Sequence, residues 1–447
     1  MDLRLDTGYK QILGMALPIS LALLVPQINF ITNNIFLGGL GETELASAGI
    51  TGVYYLIFAV IGNGLNNGMQ ALISRRAGQN LPKEIGKLFV NGIWVALGIA
   101  VIGIAVTYIL APYVLRTVIH DQVIARQCID FLLIRIWGLP LLYLYVMRNA
   151  LLVGTNQTRL LVWGTLAEAL TNIFLDYTLI YGHFGFPQLG FNGAAYASII
   201  AEGTGLLVIY AVIHLRGLHR AFGFFQEDRT PVSGDQIRLI LVQSSPLILQ
   251  YCISIVSWEF FYILVEHHGS RALAVSNTMR NIFGIFGVFS WAFASTTNSM
   301  VSNIIGQGRQ EEVIPLIHRI IRVSITLSII LCVALNLWPE WFFSMYSQGD
   351  EFIAEAIPIV RVVSVALIMM SFSTVWLNAV TGTGNTVINL TIEFITVVIY
   401  SIYVYTVLEH YRLSVTVGWM SEWVYWISMF SMAYLYMKSG KWRNKVI

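Results

Sequence analysis

Glu168, Asn172 and Asp176 recur at four-residue steps within the stretch AEALTNIFLDYTLIYGHFGFPQLGFNGAAYAS, residues 167–198. At 100° per residue that spacing stacks all three on one helical face, with a drift of only about 80° over two turns. The surrounding residues are apolar enough to cross a bilayer, and carboxyl groups inside a membrane segment are costly unless they face a partner or a watery cavity. The chemistry such a row can perform is reversible cation capture. Desolvation favours protonation of a carboxyl group, and oxygen-bearing neighbours equip it to hold a metal cation. The plainer alternative is a polar helix contact in which Asp176 hydrogen-bonds a neighbour.

The composition says what must position these residues. Of 447 residues, 56% are hydrophobic and 11% charged, whereas soluble domains carry roughly 25% charged residues. Mean hydropathy is +0.70. This excludes a soluble globular fold and predicts an all-α integral membrane protein. Twelve apolar stretches are long enough to span, centred near residues 24, 58, 99, 139, 169, 203, 251, 285, 328, 366, 398 and 425. The net charge of +2 gives no basis for nucleic-acid binding, and Cys128, Cys252 and Cys332 lie in apolar runs that form neither a metal pattern nor a disulfide framework. No cleavable signal peptide is expected, because MDLRLDTGYK leads into an apolar segment too long for one.

Lys and Arg concentrate in the even-numbered connectors and at both termini, including Arg75, Arg76, Lys83, Lys87, Arg216, Arg220, Arg229, Arg309, Lys438 and Lys441. The positive-inside rule therefore predicts a multi-pass protein of the cell's inner (plasma) membrane with both termini cytoplasmic. One connector is long and divides the chain near its midpoint. We expect a first six-helix lobe over residues 1–215, a cytoplasmic linker over 216–236, and a second six-helix lobe over 237–447. Phe222, Phe224 and Phe225 beside Arg216, Arg220 and Arg229 predict that part of the linker lies in the membrane interface as an amphipathic helix.

The halves repeat at a constant offset of 228. Pro18 falls on Pro246, Ser74 on Ser302, Gly78-Gln79 on Gly306-Gln307 and Gly154-Thr155 on Gly382-Thr383. Six spans per half give the repeats one orientation, so a pseudo-twofold axis along the membrane normal and a cleft between the lobes are expected. At this offset Glu168, Asn172 and Asp176 fall on Thr396, Tyr400 and Val404, which predicts that the charged face belongs to one lobe only.

MALPIS, TNNIFLGGLG, LASAG, ISRRAGQN, GTNQT and the Asn-x-x-x-Asp span followed by LGFNGAAYAS occur here in an order and spacing that resemble the MATE (multidrug and toxic compound extrusion) family over essentially the whole chain. The resemblance implies two six-helix lobes around a central cavity, with export of organic solutes driven by entry of H⁺ or Na⁺. It implies a cation site of Asp176 and Asn172, Ser198 at the start of span six, and Asn33 near the outer end of span one. Many members have Asp at the last position, so this chain departs there. The family's alternative acids on spans seven and ten fall on Ser254 and Met370, so that second-lobe site is not expected.

Other ionisable residues divide between ligand roles and packing. Glu168 and Glu202 are candidates for substrate binding or proton relay, with Arg148 or Arg135 the plain partners of Glu168. Glu259 and Arg280 are further candidates whose plain reading is a buried ion pair, as is a pairing of Arg361 with Glu393; Glu422 has no obvious partner. Pro18, Pro26 and Pro246 are candidates for helix bending. Phe283, Phe286, Phe289, Trp291, Met369, Met370, Phe372 and Trp376 could line a cavity for flat cations. Glu266-His267-His268 lacks a spaced partner, so no metal site is expected.

The expectation is a monomeric, non-enzymatic antiporter in the lipid bilayer that needs no cofactor beyond H⁺ or Na⁺ as coupling ion. It would export amphipathic or cationic small organic molecules by alternating access. The alternative is a lipid-linked oligosaccharide flippase of the same superfamily, which would want a cavity rich in Arg and Lys for pyrophosphate.

Overall fold

A computed structural model describes residues 2–224, 232–344 and 350–445, and among these every regular element is helical. Helices are the physical requirement of a chain this apolar, because backbone N–H and C=O groups in hydrocarbon must pair within the segment. The elements of the first half are α1 (Tyr9–Gly38), α2 (Glu42–Gly78), α3 (Pro82–Val118), α4 (Gln122–Arg135), α5 (Leu139–Gly154), α6 (Leu161–Tyr181), α7 (Phe191–Leu215) and the short α8 (Leu218–Phe222). The second half holds α9 (Gly234–Glu266), α10 (Ser270–Gly306), α11 (Val313–Leu337), α12 (Pro339–Ser344), α13 (Asp350–Thr383), α14 (Thr386–Val404), α15 (Val415–Trp419) and α16 (Ser421–Lys438). A tight turn over Ile136–Gly138 joins α4 to α5 as one passage, and α14 runs on into a wider π-type turn over Tyr405–His410.

Among the described residues, the long passages number twelve, and nine are apolar enough to cross a membrane on length and composition alone. The other three, α6, α10 and α16, carry the polar residues that matter below. Glu168, Asn172 and Asp176 lie on α6, a Ser/Thr/Asn run from Ser295 to Asn303 lies on α10, and Glu422 lies on α16.

The repeat holds in three dimensions. Helices α2 and α10 start and stop at matching positions, and Gln79 and Gln307 follow with φ of −74° and −75°. The next residues, Asn80 (φ 57°) and Gly308 (φ 78°), are both left-handed, as are Asn156 (φ 61°) and Gly384 (φ 87°) after the fourth and tenth passages. Glycine adopts that conformation freely and asparagine tolerates it, so each half uses a different residue for the same turn. A side chain at Gly154 would meet Ile73 Cγ2 at 2.8 Å, and one at Gly382 would meet Val301 Cβ at 3.0 Å; Ile73 and Val301 are themselves repeat partners.

The described chain separates into two compact units. The first comprises residues 21–244 with residues 1–3; the second comprises residues 245–447 with residues 4–20. In the first, α5 packs against α2, α3 and α7, and α6 lies along α7. In the second, α13 is the centre, packed by α10, α11 and α16, with α14 against α16. Helix α1 contributes its start to the second unit and its remainder to the first.

The linker is more embedded than expected. Phe222 and Leu218 of α8 are buried. The Phe224 ring lies tilted against Phe89 of α3, with ring centres 4.9 Å apart, and against Phe222 at 5.6 Å. Phe222 and Phe224 pack against α3 of the first unit; Phe225 and Arg229 lie outside the described residues. Gly86 makes the contact possible, because a Cβ there would sit 2.0 Å from the Phe222 carbonyl oxygen.

Candidate functional site

The α6 row faces the protein interior. Asp176 is fully buried and Asn172 nearly so, while Glu168 is half-buried. Asn29 of α1 donates to Asn172 Oδ1 at 2.6 Å, which ties the two helices together. Both carboxylate oxygens of Asp176 are buried without a hydrogen-bond donor, and so are the amide oxygens of Asn29 and Asn33. Four oxygen atoms on two bonded helices are thus left with electron pairs unmatched by any N–H or O–H. Buried acceptors ordinarily find a donor, and leaving one unmatched costs about 1–3 kcal/mol. The Asn172 amide N–H, one turn before Asp176, is also buried without a partner, so donors and acceptors are both left unmatched along this row. Carboxylate and amide oxygens are hard donors, the kind that hard cations take. Asn29, one helical turn before Asn33, is the member that the family resemblance does not single out.

Ser198 is half-buried on α7. Tight contact between α6 and α7 sets its position; a Cβ at Gly193 would sit 2.7 Å from the Leu179 carbonyl oxygen. At the C-terminal end of α6, the Tyr181 hydroxyl donates to the Phe36 carbonyl at 2.7 Å, a second link to α1.

Glu168 does not pair with either arginine. Arg135 instead forms a two-pronged ion pair with Glu202, at 2.5 Å and 3.1 Å, and its guanidinium lies 4.1 Å from the centre of the Tyr55 ring. Arg148, fully buried, stacks over Tyr145 at 3.8 Å and donates to Asn149 Oδ1 at 3.3 Å. Glu168 Oε2 is left buried without a partner.

In the second unit Glu259 and Arg280 meet at 3.6 Å, but both side chains are more than a third exposed, and Arg280 also lies over Trp258 at 5.1 Å. They form a pair, though not a buried one. Arg361 is exposed and does not reach Glu393, which is fully buried and held by neutral donors. At the positions that repeat Glu168, Asn172 and Asp176, helix α14 has the uncharged Thr396, Tyr400 and Val404. Helix α14 carries its own buried acid, displaced along the helix from the position that a strict repeat would give. Of the aromatic candidates, Phe283, Met370 and Trp376 are core residues, and Phe372 packs edge-on against Phe430 at 5.0 Å. His267 and His268 are engaged locally, by Glu409 at 2.9 Å and the Leu408 carbonyl at 2.8 Å.

The three proline candidates lie inside long helices. Pro246 interrupts the bonding of α9, and α1 stays helical through both Pro18 and Pro26. Each removes one backbone donor from its helix.

Comparison with known proteins places this geometry in a family. The MatE family pattern matches residues 18–178 and again 246–406, two segments separated by the same offset of 228. A probable multidrug resistance protein NorM of Thermotoga maritima is 20% identical over 439 residues, covering 98% of this chain and 94% of the relative. A Synechocystis protein of the same description is 25% identical over 213 residues, 47% of this chain and 46% of the relative. Among solved structures, a MOP superfamily transporter from Pyrococcus furiosus, described as having a binding pocket of reverse polarity, superposes with a TM-score of 0.89. It has 18% identity and covers 99% of this chain and 98% of its own. An outward-facing multidrug resistance MATE family transporter gives 0.87, again at 18% identity, with 98% and 97% covered.

Proposed function

Since the chain belongs to the MatE family, whose pattern it carries twice, we propose that it is a cation-coupled antiporter of amphipathic or cationic organic compounds. Its coupling ion, H⁺ or Na⁺, binds at Asp176. The observation that carries this reading is the buried Asp176 carboxylate, which faces no donor beside the Asn29–Asn172 bond between α6 and α1. An ion there neutralises the carboxylate and engages the unmatched amide oxygens of α1. Loading the site therefore stabilises whichever access state brings α1 and α6 together, and substrate stabilises the other, so ion and substrate compete through conformation. Asn33 in place of a second acid leaves one formal charge for the ion to balance. The relatives described as multidrug resistance proteins support organic solutes as cargo.

The flippase alternative is disfavoured by how the arginines are used. Arg135 is committed to Glu202 and Arg280 to Glu259, so two of the arginines within the spans are held by carboxylates, and Arg148 and Arg361 form no ion pair among the described residues. We place the protein in the plasma membrane with both termini cytoplasmic, on the distribution of Lys and Arg.

The test is uptake of a fluorescent organic cation into proteoliposomes under an imposed pH or Na⁺ gradient. Wild type should respond to one gradient. Asp176→Asn should lose roughly tenfold or more of that response, the size of a coupling free energy of about 1–3 kcal/mol. An Asp176→Asn protein whose gradient dependence matches wild type would refute the assignment.

A further inference from the structure

The second unit contains a built carboxylate site of its own. Asn389, Glu393, Thr396 and Tyr400 follow one another at steps of four, three and four on α14, and all are at most 2% exposed. Glu393 Oε1 accepts from the Ser254 hydroxyl of α9 at 2.5 Å and from the Tyr425 hydroxyl of α16 at 2.5 Å. Its Oε2 has only a long contact, 3.4 Å, from the Gln250 amide of α9. Gln250 in turn accepts from Asn389 at 2.9 Å, which leaves the Asn389 amide oxygen and the Thr396 hydroxyl buried without partners on the same face.

Three helices thus converge on one carboxylate using neutral groups alone. The ionisable side chains around it are Tyr425 and Glu422 of α16 and Tyr400 of α14; Glu422 is itself buried and accepts from the Trp426 indole at 3.1 Å. From α13, Arg361 is exposed. Among the described residues, no Lys, Arg or His forms an ion pair with Glu393. A structural acid in such a place would ordinarily carry a cationic partner, as Glu202 does. Glu393 is thus desolvated without a counter-charge, and of its two oxygens Oε1 is doubly hydrogen-bonded while Oε2 has only the long Gln250 contact.

Glu393 is not the repeat counterpart of Asp176, which is Val404. The two acids differ by eleven residues of helix, about 16 Å along the axis at 1.5 Å per residue. We propose that Glu393 is a second proton-exchange site, built by α9, α14 and α16, that loads and unloads during the transport cycle. This rests on the antiport reading above only for the words "transport cycle"; the exchange itself can be seen without transport.

The experiment is infrared difference spectroscopy of the reconstituted full-length protein, between acidic and alkaline buffer and with and without a transported organic cation, alongside proton counting in proteoliposomes. The protonated-carboxyl band should change with pH in wild type and persist in Asp176→Asn. Its Glu393 component should be lost in Glu393→Gln and moved in Tyr425→Phe, a milder change that keeps the ring and guards against misfolding of the first variant. Protons moved per substrate should fall in Glu393→Gln. A Glu393→Gln protein with an unaltered pH difference spectrum and an unaltered proton count overturns the proposal, as does a Glu393 band that stays protonated at every pH and in both substrate states. Failure of wild type to respond to any ion gradient would instead sink the antiport reading, and the Glu393 band would still report on exchange.

Discussion

At the level of single residues, the Arg135–Glu202 pair is the most exacting arrangement in the first unit. Both side chains are about 10% exposed, and the guanidinium is fitted between the carboxylate and the Tyr55 ring. Gly138 leaves the room, since a Cβ there would approach Arg135 Nη1 to 2.3 Å and Glu202 Oε2 to 2.8 Å. Glu202→Gln would leave a buried guanidinium without its charge partner and should lower stability by about 3–5 kcal/mol, read as a fall in melting temperature of the purified protein. Adding Arg135→Met to that variant should recover most of the loss; no recovery would mean that the pair is not the cause. The sequence exposed the ingredients but not this pairing. Helical periodicity places Glu168 and Glu202 on inward faces, whereas which of them meets Arg135 depends on the rotation of α6 and α7 about their axes, which no one-dimensional pattern records. Asp176 and Asn172 were legible because their spacing on one helix is itself the signal. Glu393 was not, because its partners Ser254, Gln250 and Tyr425 are ordinary polar residues scattered over two other helices.

Among the elements, the short α8 shows how a glycine decides the path of a connector. Gly86→Val would drive a side chain into the Phe222 carbonyl, and it should release the linker as increased hydrogen exchange over residues 218–224 with α6 unaffected. The composition of this segment gave no sign of the contact with α3, which depends on a side chain missing at Gly86. The same linker carries a pH response. His219 stacks on His214 with ring centres 4.1 Å apart. Desolvation first, and then the charges of His214 and Arg220, lower its pKa from the ordinary histidine value. A group whose folded pKa lies below its unfolded one contributes stability at higher pH that is lost as pH falls from the unfolded value of about 6.5 toward the folded one. Exchange over 218–224 should therefore rise on acidification through that window. His219→Gln should flatten the response; a pH profile identical to wild type would rule the stack out as its source.

Over the whole molecule, the repeat and the unit boundaries together show a reciprocal arrangement. Residues 4–20 group with the second unit, and their counterparts at the start of α9, up to Ser244, group with the first. Equivalent backbone amides of the two arms are each bound, though by side chains that are not repeat partners of one another. The Leu5 amide donates to Asn303 Oδ1 at 3.0 Å and the Ser233 amide to Asn91 Oδ1 at 2.9 Å, with Leu5 and Ser233 repeat partners. Arg319 adds bonds to the Thr7 hydroxyl at 2.9 Å and carbonyl at 3.1 Å. Deleting residues 2–8 should therefore destabilise the second unit in particular, seen as earlier proteolysis of α10–α11 loops than of α2–α3 loops; equal sensitivity would refute it. Two halves that trade their opening arms have the topology of an arm-exchanged homodimer whose subunits were later joined end to end. On that view the covalent connection between the halves is dispensable for folding, although residues 218–224 pack into the first unit. Coexpressed pieces severed between Phe224 and Val232 should find one another and copurify, while either piece alone, lacking the arm that completes it, should not accumulate.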